Sequence, residues 1–142
     1  MSKTVVLDAS TALAWCFPDE GSEDAEAVLI ALEGATVLVP AVWSLEIANA
    51  LLVGERQKRL RQPEILRFLT LLESLVIAED AQTAAERVRN VLPIARESGL
   101  SAYDGAYLEL AVRRGAALAT LDGKLAKAAR AAGVALFSGR DR

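Results

Sequence analysis

The sequence predicts an α/β fold in which a parallel sheet of five strands is covered by helices on both faces. Short runs of consecutive apolar residues, typical of strands buried on both sides, alternate with longer stretches that have helical periodicity. The chain has 142 residues, of which 53% are hydrophobic and 25% are charged. This size and composition predict one domain that spans residues 1–142. The predicted strands are residues 5–7, 36–39, 75–78, 116–120 and 134–137.

Several helix boundaries are marked by residues with known positional preferences. Pro63 is placed to open a helix, and Gly99 and Gly115 follow helical stretches, where glycine adopts the left-handed conformation of a helix end. Pro93 lies inside a helical stretch over residues 81–97. Because proline cannot donate a backbone hydrogen bond, we expect it to kink or split that helix.

The composition restricts the chemistry that this chain can perform. The sequence contains no histidine, which removes the usual general base and the usual nitrogen ligand of zinc. Cys16 is the single cysteine, so a thiolate metal cluster and an internal disulfide are excluded. Hydrolysis near neutral pH then depends on water activated by a hard divalent cation on oxygen ligands, which suits Mg2+ or Mn2+.

The sequence does not predict a membrane association. No apolar run approaches the length of a membrane-spanning helix. The N-terminus lacks the basic segment, apolar stretch and cleavage site of a signal peptide. We therefore expect a cytoplasmic protein that has no membrane partner.

Four acidic residues, Asp8, Glu46, Asp104 and Asp122, lie near the ends of predicted strands. Asp8 ends the first strand, and Asp122 lies just beyond the fourth. Glu46 comes early in the helix after the second strand, and Asp104 opens the helix that leads into the fourth. Because the ligand crevice of an open α/β sheet lies at the carboxyl ends of its strands, we expect the four side chains to meet there. They are the candidate catalytic residues.

Three of these acids have a structural alternative as helix caps. Asp104 is the third residue after Ser101, an arrangement that resembles a capping box with aspartate in place of glutamate. Asp122 precedes a helical stretch, and Asp8 or Ser10 precedes another. A cap and a site residue are about equally consistent with each of these positions.

Glu46 is a different case because the helix around it is apolar almost all round, which predicts a buried helix. A buried carboxylate is costly unless it is paired or binds a metal. Asn49 lies on the same face and could support Glu46 by a hydrogen bond, or the two could form a polar edge facing solvent. Ser10 and Thr120 are further supporting candidates, since their hydroxyls would lie beside acids, although caps and turns explain such residues as often.

The net charge of −3 does not favour nucleic acid through bulk charge. Basic side chains are nevertheless concentrated in two clusters, which are either solvated helix faces or contacts to phosphate groups. The clusters are Arg56, Lys58, Arg59, Arg61 and Arg67, and Arg113, Arg114, Lys124, Lys127 and Arg130.

The acids lie in four segments: residues 5–10 (VVLDAS), 40–51 (PAVWSLEIANAL), 99–104 (GLSAYD) and 119–122 (ATLD). These segments resemble the signature motifs of PIN-domain nucleases, and most closely those of the VapC toxins of bacterial toxin–antitoxin pairs. The resemblance covers nearly the whole chain in the family's order, and four motifs together are far more specific than one. None of the four acidic positions departs from the family pattern.

The resemblance implies a PIN-like three-layer fold, an acidic site for Mg2+ or Mn2+ and endonucleolytic cutting of RNA by hydrolysis of its phosphodiester bonds. It also implies that Asp8 and Asp104 are the direct metal ligands, with Glu46 and Asp122 completing the acidic cluster. For VapC toxins it further implies a homodimer that is inhibited by a small cognate antitoxin.

Physical chemistry indicates how such partners would bind. An arginine inserted by the antitoxin would pair with the carboxylates and compete with the metal. The apolar stretches 43–53 and 65–75 offer surface for a partner helix, or are simply core. Trp15, Trp43 and Tyr103 could stack on bases, with core packing favoured for the two tryptophans.

Other functions are compatible with part of the sequence. A PIN-domain RNA-processing nuclease without a toxin role fits the same residues. A phosphatase with an aspartyl nucleophile would also place Asp8 at the end of the first strand, but its motif has a second aspartate where this chain has Ser10, and it leaves Glu46 unexplained. A non-catalytic binding module would bring four like charges together without a reason. A dinucleotide-binding domain lacks its glycine-rich motif here.

Overall fold

The computed structural model describes residues 3–17 and 22–139. Within these ranges, strands and helices alternate along the chain. The strands are β1 (Thr4–Leu7), β2 (Thr36–Val39), β3 (Ile77–Glu79) and β4 (Ala117–Ala119). The helices are α1 (Ala9–Ala14), α2 (Glu23–Ala31), α3 (Val42–Arg56), α4 (Gln62–Ser74), α5 (Ala84–Ser98), α6 (Ala102–Arg114) and α7 (Gly123–Ala131).

The strands form one parallel sheet in the order β3-β2-β1-β4. Val5 in β1 pairs with Val37 on one side and with Ala117 on the other. Successive side chains of a strand point to opposite faces of the sheet, and Val5, Val6 and Leu7 are all fully buried. Helices therefore cover both faces of β1, as the continuous apolar runs predicted.

The prediction of five strands is wrong, because the described residues form a sheet of four. The segment 134–137 lies beside β4 but contributes only an isolated parallel bridge between Leu136 and Leu118. Its first N–H group, that of Val134, donates to Ala129 of the preceding helix instead of joining the sheet. Gly133 and Gly139, which flank the segment, have φ angles of 77° and 74°, so the chain turns at each of its ends.

The prediction that the helix around Glu46 is buried all round is also wrong. One face of α3, with Trp43, Ile47 and Leu51, is buried at a helical spacing of four residues. The other face is open, and Leu45 on it is 71% exposed. The apolar character of this helix thus reflects a core face together with an exposed apolar surface.

Pro93 does not split its helix, since α5 is one element with the proline inside it. Val91 and Ala95, on either side of Pro93, pack against Ala106 of α6. A Cβ atom added at Gly105 of α6 would lie 2.8 Å from Cβ of Ala95, so the two helices approach closely at this point. This packing compensates for the hydrogen bond that the proline cannot make.

None of the helices in the described parts of the chain is long and apolar enough to cross a membrane.

The strand order reverses between β1 and β4, because the chain moves from β1 to β2 and β3 on one side and then returns to place β4 on the other. The crevice of an open α/β sheet forms at such a point, at the carboxyl ends of the strands.

Candidate active site

Asp8 lies at the point where β1 and β4 separate. Its backbone N–H donates to the carbonyl oxygen of Ala119 at 2.9 Å, which continues the pairing of the two strands by one step. Its side chain is buried, and Oδ2 accepts hydrogen bonds from the hydroxyls of Ser10 at 2.7 Å and Thr120 at 2.6 Å. The carboxylate is therefore held in one orientation by groups from both sides of the crevice.

Ser10 and Thr120 also fix the loop that follows β4. The hydroxyl of Ser10 accepts a hydrogen bond from the N–H of Leu121 at 3.2 Å, and that of Thr120 accepts one from the N–H of Asp122 at 3.0 Å. Each hydroxyl thus donates to Asp8 and accepts from the loop. This double use places Asp122 next to the crevice.

Glu46 is held by a residue on another helix. The hydroxyl of Tyr107, on α6, donates a hydrogen bond to Oε1 of Glu46. Asn49 is exposed, and within the described ranges no hydrogen bond joins it to Glu46. The sequence analysis did not identify Tyr107. The available signal was its position three residues after Asp104, which places both on one face of α6.

The pKa values show that the four acids lie close enough to interact. Burial, followed by the charge of Asp8 and then of Asp104, raises the pKa of Glu46 above its ordinary value, and the Tyr107 hydrogen bond offsets part of this. Burial raises the pKa of Asp104, and the charges of Asp122 and Asp8 raise it further. Burial also raises the pKa of Asp8, with hydrogen bonds from Thr120 and Ser10 opposing it. The acids therefore form a cluster of mutually repelling charges.

The helix-cap alternative applies to these acids to different degrees. Asp122 is the N-cap of α7, because its side chain accepts from the N–H of Lys124 at 3.0 Å. At α6 the cap is Ser101, whose hydroxyl accepts from the N–H of Asp104 at 3.1 Å. Asp8 has the N-cap position of α1, but in the described structure its side chain makes no capping bond. Asp122 thus serves both as a cap and as a member of the cluster, whereas Ser101 provides the cap of α6.

The donor atoms of this cluster are all carboxylate oxygens, which suit a hard divalent cation. Among the described residues, no three acidic or cysteine side chains form a complete ligand set for a metal. Mg2+ does not require one, because it keeps several of its waters and is commonly bound through one or two carboxylates. The repulsion among the acids also favours a bound cation. Asp8 and Asp104 therefore fit this type of site.

Arg113 belongs to an ion-pair network within the protein, and this removes it from the basic residues that could contact phosphate groups. Its guanidinium donates to Oδ2 of Asp80 at 2.5 Å and to Oε2 of Glu109 at 2.7 Å, and both acids are buried. Arg114 lies 3.6 Å from the other oxygen of Asp80. Lys124, by contrast, lies close enough to Asp104 for its charge to lower the pKa of that acid.

The aromatic residues divide between core and surface. Trp43 is buried in the core, as favoured from the sequence. Trp15 packs against the core, and its indole N–H donates to the carbonyl oxygen of Ala25 at 2.8 Å. Tyr103, which precedes Asp104 in the sequence, is 64% exposed, so its ring is accessible.

Comparisons with known proteins agree with this architecture. A profile of the PIN domain matches residues 5–131. Ribonuclease VapC3 from Pyrobaculum aerophilum is 33% identical over 123 residues, which cover 87% of this chain and 92% of that protein. The crystal structure of PAE2754 from Pyrobaculum aerophilum matches with a TM-score of 0.65 and 26% identity, over 89% of this chain and 79% of that one.

A second solved structure shares the fold at lower sequence identity. FitAcB from Neisseria gonorrhoeae matches with a TM-score of 0.58 and 20% identity, over 95% of this chain and 97% of that one. The resemblance inferred from the four acidic motifs is confirmed by the profile and by the VapC3 match. The chain belongs to the PIN domain family.

Proposed function

We propose that this protein is an endoribonuclease of the VapC type that depends on Mg2+ or Mn2+. The observation that carries the proposal is the cluster of Asp8, Glu46, Asp104 and Asp122 at the point where the strand order reverses, with charges that interact. The similarity to Ribonuclease VapC3 supports RNA as the substrate. An aspartyl-nucleophile phosphatase does not need Glu46 in this cluster, so the cluster argues against that alternative.

Each acid has a defined role in this proposal. Asp8 and Asp104 bind the metal, and Glu46 and Asp122 complete the negative charge of the site. When bound, the cation would lower the pKa of a water molecule and neutralise negative charge that develops on the phosphate. Thr120 and Ser10 keep Asp8 in place, so that its carboxylate needs little reorganisation on binding.

The RNA would enter past basic and aromatic groups at the mouth of the crevice. Lys124 is near enough to Asp104 to lower the pKa of that acid, and its ammonium group would contact a phosphate next to the one that is cut. The exposed ring of Tyr103 would stack on an unpaired base. These features favour single-stranded or looped RNA, because bases in a duplex are already stacked.

The toxin role and the partners are part of the same proposal. We assign the protein to a toxin–antitoxin pair, as a cytoplasmic homodimer inhibited by a small antitoxin. Exposed apolar side chains on α3 and α4 support an amphipathic partner helix: Leu45, Leu52, Leu66 and Leu69. An antitoxin co-expressed with the protein should restore growth, and at a near-equimolar ratio it should suppress RNA cleavage. A neighbouring small protein that neither binds nor inhibits would leave a PIN-domain RNA-processing nuclease as the function.

Cleavage of a labelled single-stranded RNA tests the nuclease activity directly. We expect cutting with Mg2+ or Mn2+, no cutting in EDTA, and recovery when the metal is restored. Asp8→Asn and Asp104→Asn should each lose most of the activity while keeping the fold, since they remove charge and not volume. Glu73→Gln, on the exposed side of α4, is the matched control and should cut normally. Full activity in EDTA, or in both asparagine variants, would refute the proposal.

A further inference from the structure

The hydroxyl of Tyr107 links three segments that carry acids of the site. It donates a hydrogen bond to Glu46 on α3, and the backbone N–H of Ala9, next to Asp8, hydrogen-bonds to the same oxygen. Tyr107 itself lies on α6, one helical turn after Asp104. One phenol oxygen thus connects the segments that hold the acids of β1, α3 and α6.

The surroundings of Tyr107 make its hydroxyl a fixed donor. The side chain is fully buried and is part of the main hydrophobic core, so packing locks the ring in place. Burial, followed by the neighbouring carboxylate of Glu46, raises the pKa of the phenol, which stays protonated. A locked and protonated phenol holds its acceptor in one position.

Without the hydrogen bond from Tyr107, the carboxylate of Glu46 could adopt another position. Glu46 is only partly buried on α3, and the charges of Asp8 and Asp104 repel its carboxylate. Its helical neighbour Asn49 is exposed, and among the described residues it makes no hydrogen bond to Glu46. Tyr107 is therefore the group that holds Glu46 against this repulsion.

Resting on the proposed nuclease function, we infer that Tyr107 is a positioning residue for metal binding and hydrolysis. It would set the position of Glu46 relative to Asp8 and Asp104 without touching the metal or the RNA. A purely structural role, in which the phenol merely satisfies a buried polar group, predicts lower stability and nothing else. A positioning role also predicts weaker metal binding and slower hydrolysis.

The variant Tyr107→Phe removes one oxygen atom and keeps the buried ring. Mn2+ binding is measured by calorimetry on the protein alone, and kcat and KM are measured with single-stranded RNA. We expect the Kd for Mn2+ to rise and kcat to fall, each by about 10- to 100-fold, with KM for RNA changed by less than about twofold. Val134→Ala, a buried substitution that touches none of the acids, is the control. It should lower the melting temperature and leave Kd and kcat unchanged.

A double-mutant cycle tests whether Tyr107 acts through Glu46. In a Glu46→Gln background, Tyr107→Phe should change the Kd by less than about twofold, because the carboxylate it positions is already absent. A Tyr107→Phe protein that binds Mn2+ and cuts RNA like the wild type would overturn the inference and leave the nuclease function standing. A wild-type protein that neither binds Mn2+ nor cuts RNA would overturn both.

If Tyr107→Phe does not fold, a measurement on the unmutated side chain tests the positioning role of Tyr107. The chain has two tyrosines, so 13C labelling at the ζ carbon gives two signals, which a Tyr103→Phe sample assigns. We expect Mg2+ to shift the Tyr107 signal of the wild type, and we expect that shift to disappear in Glu46→Gln. A Tyr107 signal that does not move at saturating Mg2+ would overturn the inference.

Discussion

The hydroxyl of Thr120 donates a 2.6 Å hydrogen bond to Oδ2 of Asp8, which joins two residues that are 112 positions apart in the chain. The bond spans the crevice between the ends of β1 and β4. Ser10 donates to the same oxygen from the other side. The position of the candidate metal ligand thus depends on a contact between the first and the last strand of the sheet.

Loss of the Thr120 hydroxyl should reduce activity more than stability. Thr120→Val keeps the shape of the side chain, removes the donor to Asp8, and should lower kcat/KM by about 10- to 100-fold. The free energy of unfolding should fall by about 1 to 2 kcal/mol, because the bond to Asp8 and the bond from the N–H of Asp122 are both lost. Thr70→Val is the matched control, because the Thr70 hydroxyl bonds to the carbonyl oxygen of Leu66 on an exposed helix. Equal loss of activity in the two variants would contradict the role of Thr120.

Neutralising one acid should stabilise the metal-free protein at neutral pH. The pKa of Asp104 is raised by burial and by the charges of Asp122 and Asp8, so the ionised group is less favourable in the folded than in the unfolded chain. Asp104→Asn should therefore raise the free energy of unfolding in EDTA by about 0.5 kcal/mol after allowance for solvent screening. The melting temperature should rise with it. Unchanged or lower melting temperatures for single variants at all four acids would indicate caps and not a cluster.

The same variant should show a defined pH dependence. A carboxyl group with a raised pKa lowers the stability as the pH rises from its unfolded value, here 3.8, through the higher folded value, and the effect is then constant. The advantage of Asp104→Asn over the wild type should thus be absent near pH 3 and full at neutral pH. Urea unfolding in EDTA at several pH values measures this difference. A difference that is independent of pH would count against the cluster.

Arg113 should matter for stability and not for RNA binding. Arg113→Met leaves the buried carboxylates of Asp80 and Glu109 without their guanidinium and should cost about 3 kcal/mol in unfolding free energy. Burial raises the pKa of Asp80, but hydrogen bonds from Arg113 and Gln82 outweigh burial and hold this pKa below its usual value. This stabilisation is present above pH 3.8 and is lost as the pH falls through the folded pKa.

The neighbouring arginine provides the comparison for that prediction. Arg114 lies 3.6 Å from Asp80 and is 47% exposed, so Arg114→Met should cost less than about 1 kcal/mol. Equal costs for the two substitutions, measured by urea unfolding at pH 7, would contradict the assignment of Arg113 to the internal network.

Lys124 should bind RNA through charge. Lys124→Gln should raise KM for RNA, and log Kd for RNA should depend less steeply on log salt concentration, by about 0.7 for one lost phosphate contact on a single strand. Lys3→Gln removes the same charge before β1, where the ammonium lies over the ring of Phe137, and is the control. Identical salt dependence in Lys124→Gln and the wild type, measured by fluorescence anisotropy with EDTA present, would rule out this contact.

Local periodicity was enough to predict the α/β class and the parallel sheet. Continuous apolar runs predicted β1 and β2, and the positions of Asp8 and Asp122 after strands predicted that they share an edge of the sheet. These features depend on residues near one another in the chain. The apolar run at 134–137 misled because an apolar run does not show how far a segment pairs with its neighbour, and here only the bridge between Leu118 and Leu136 forms.

The sequence by itself determined which chemistry we propose for this protein, through four acids, no histidine and strands that place carboxylates at one edge. The tertiary structure decided which partners the side chains meet: Tyr107 and not Asn49 bonds to Glu46, and Arg113 pairs with the buried Asp80. These choices depend on how α3, α5 and α6 pack together. Residues that meet across helices carry no common period in the sequence, so only packing in three dimensions selects the partner.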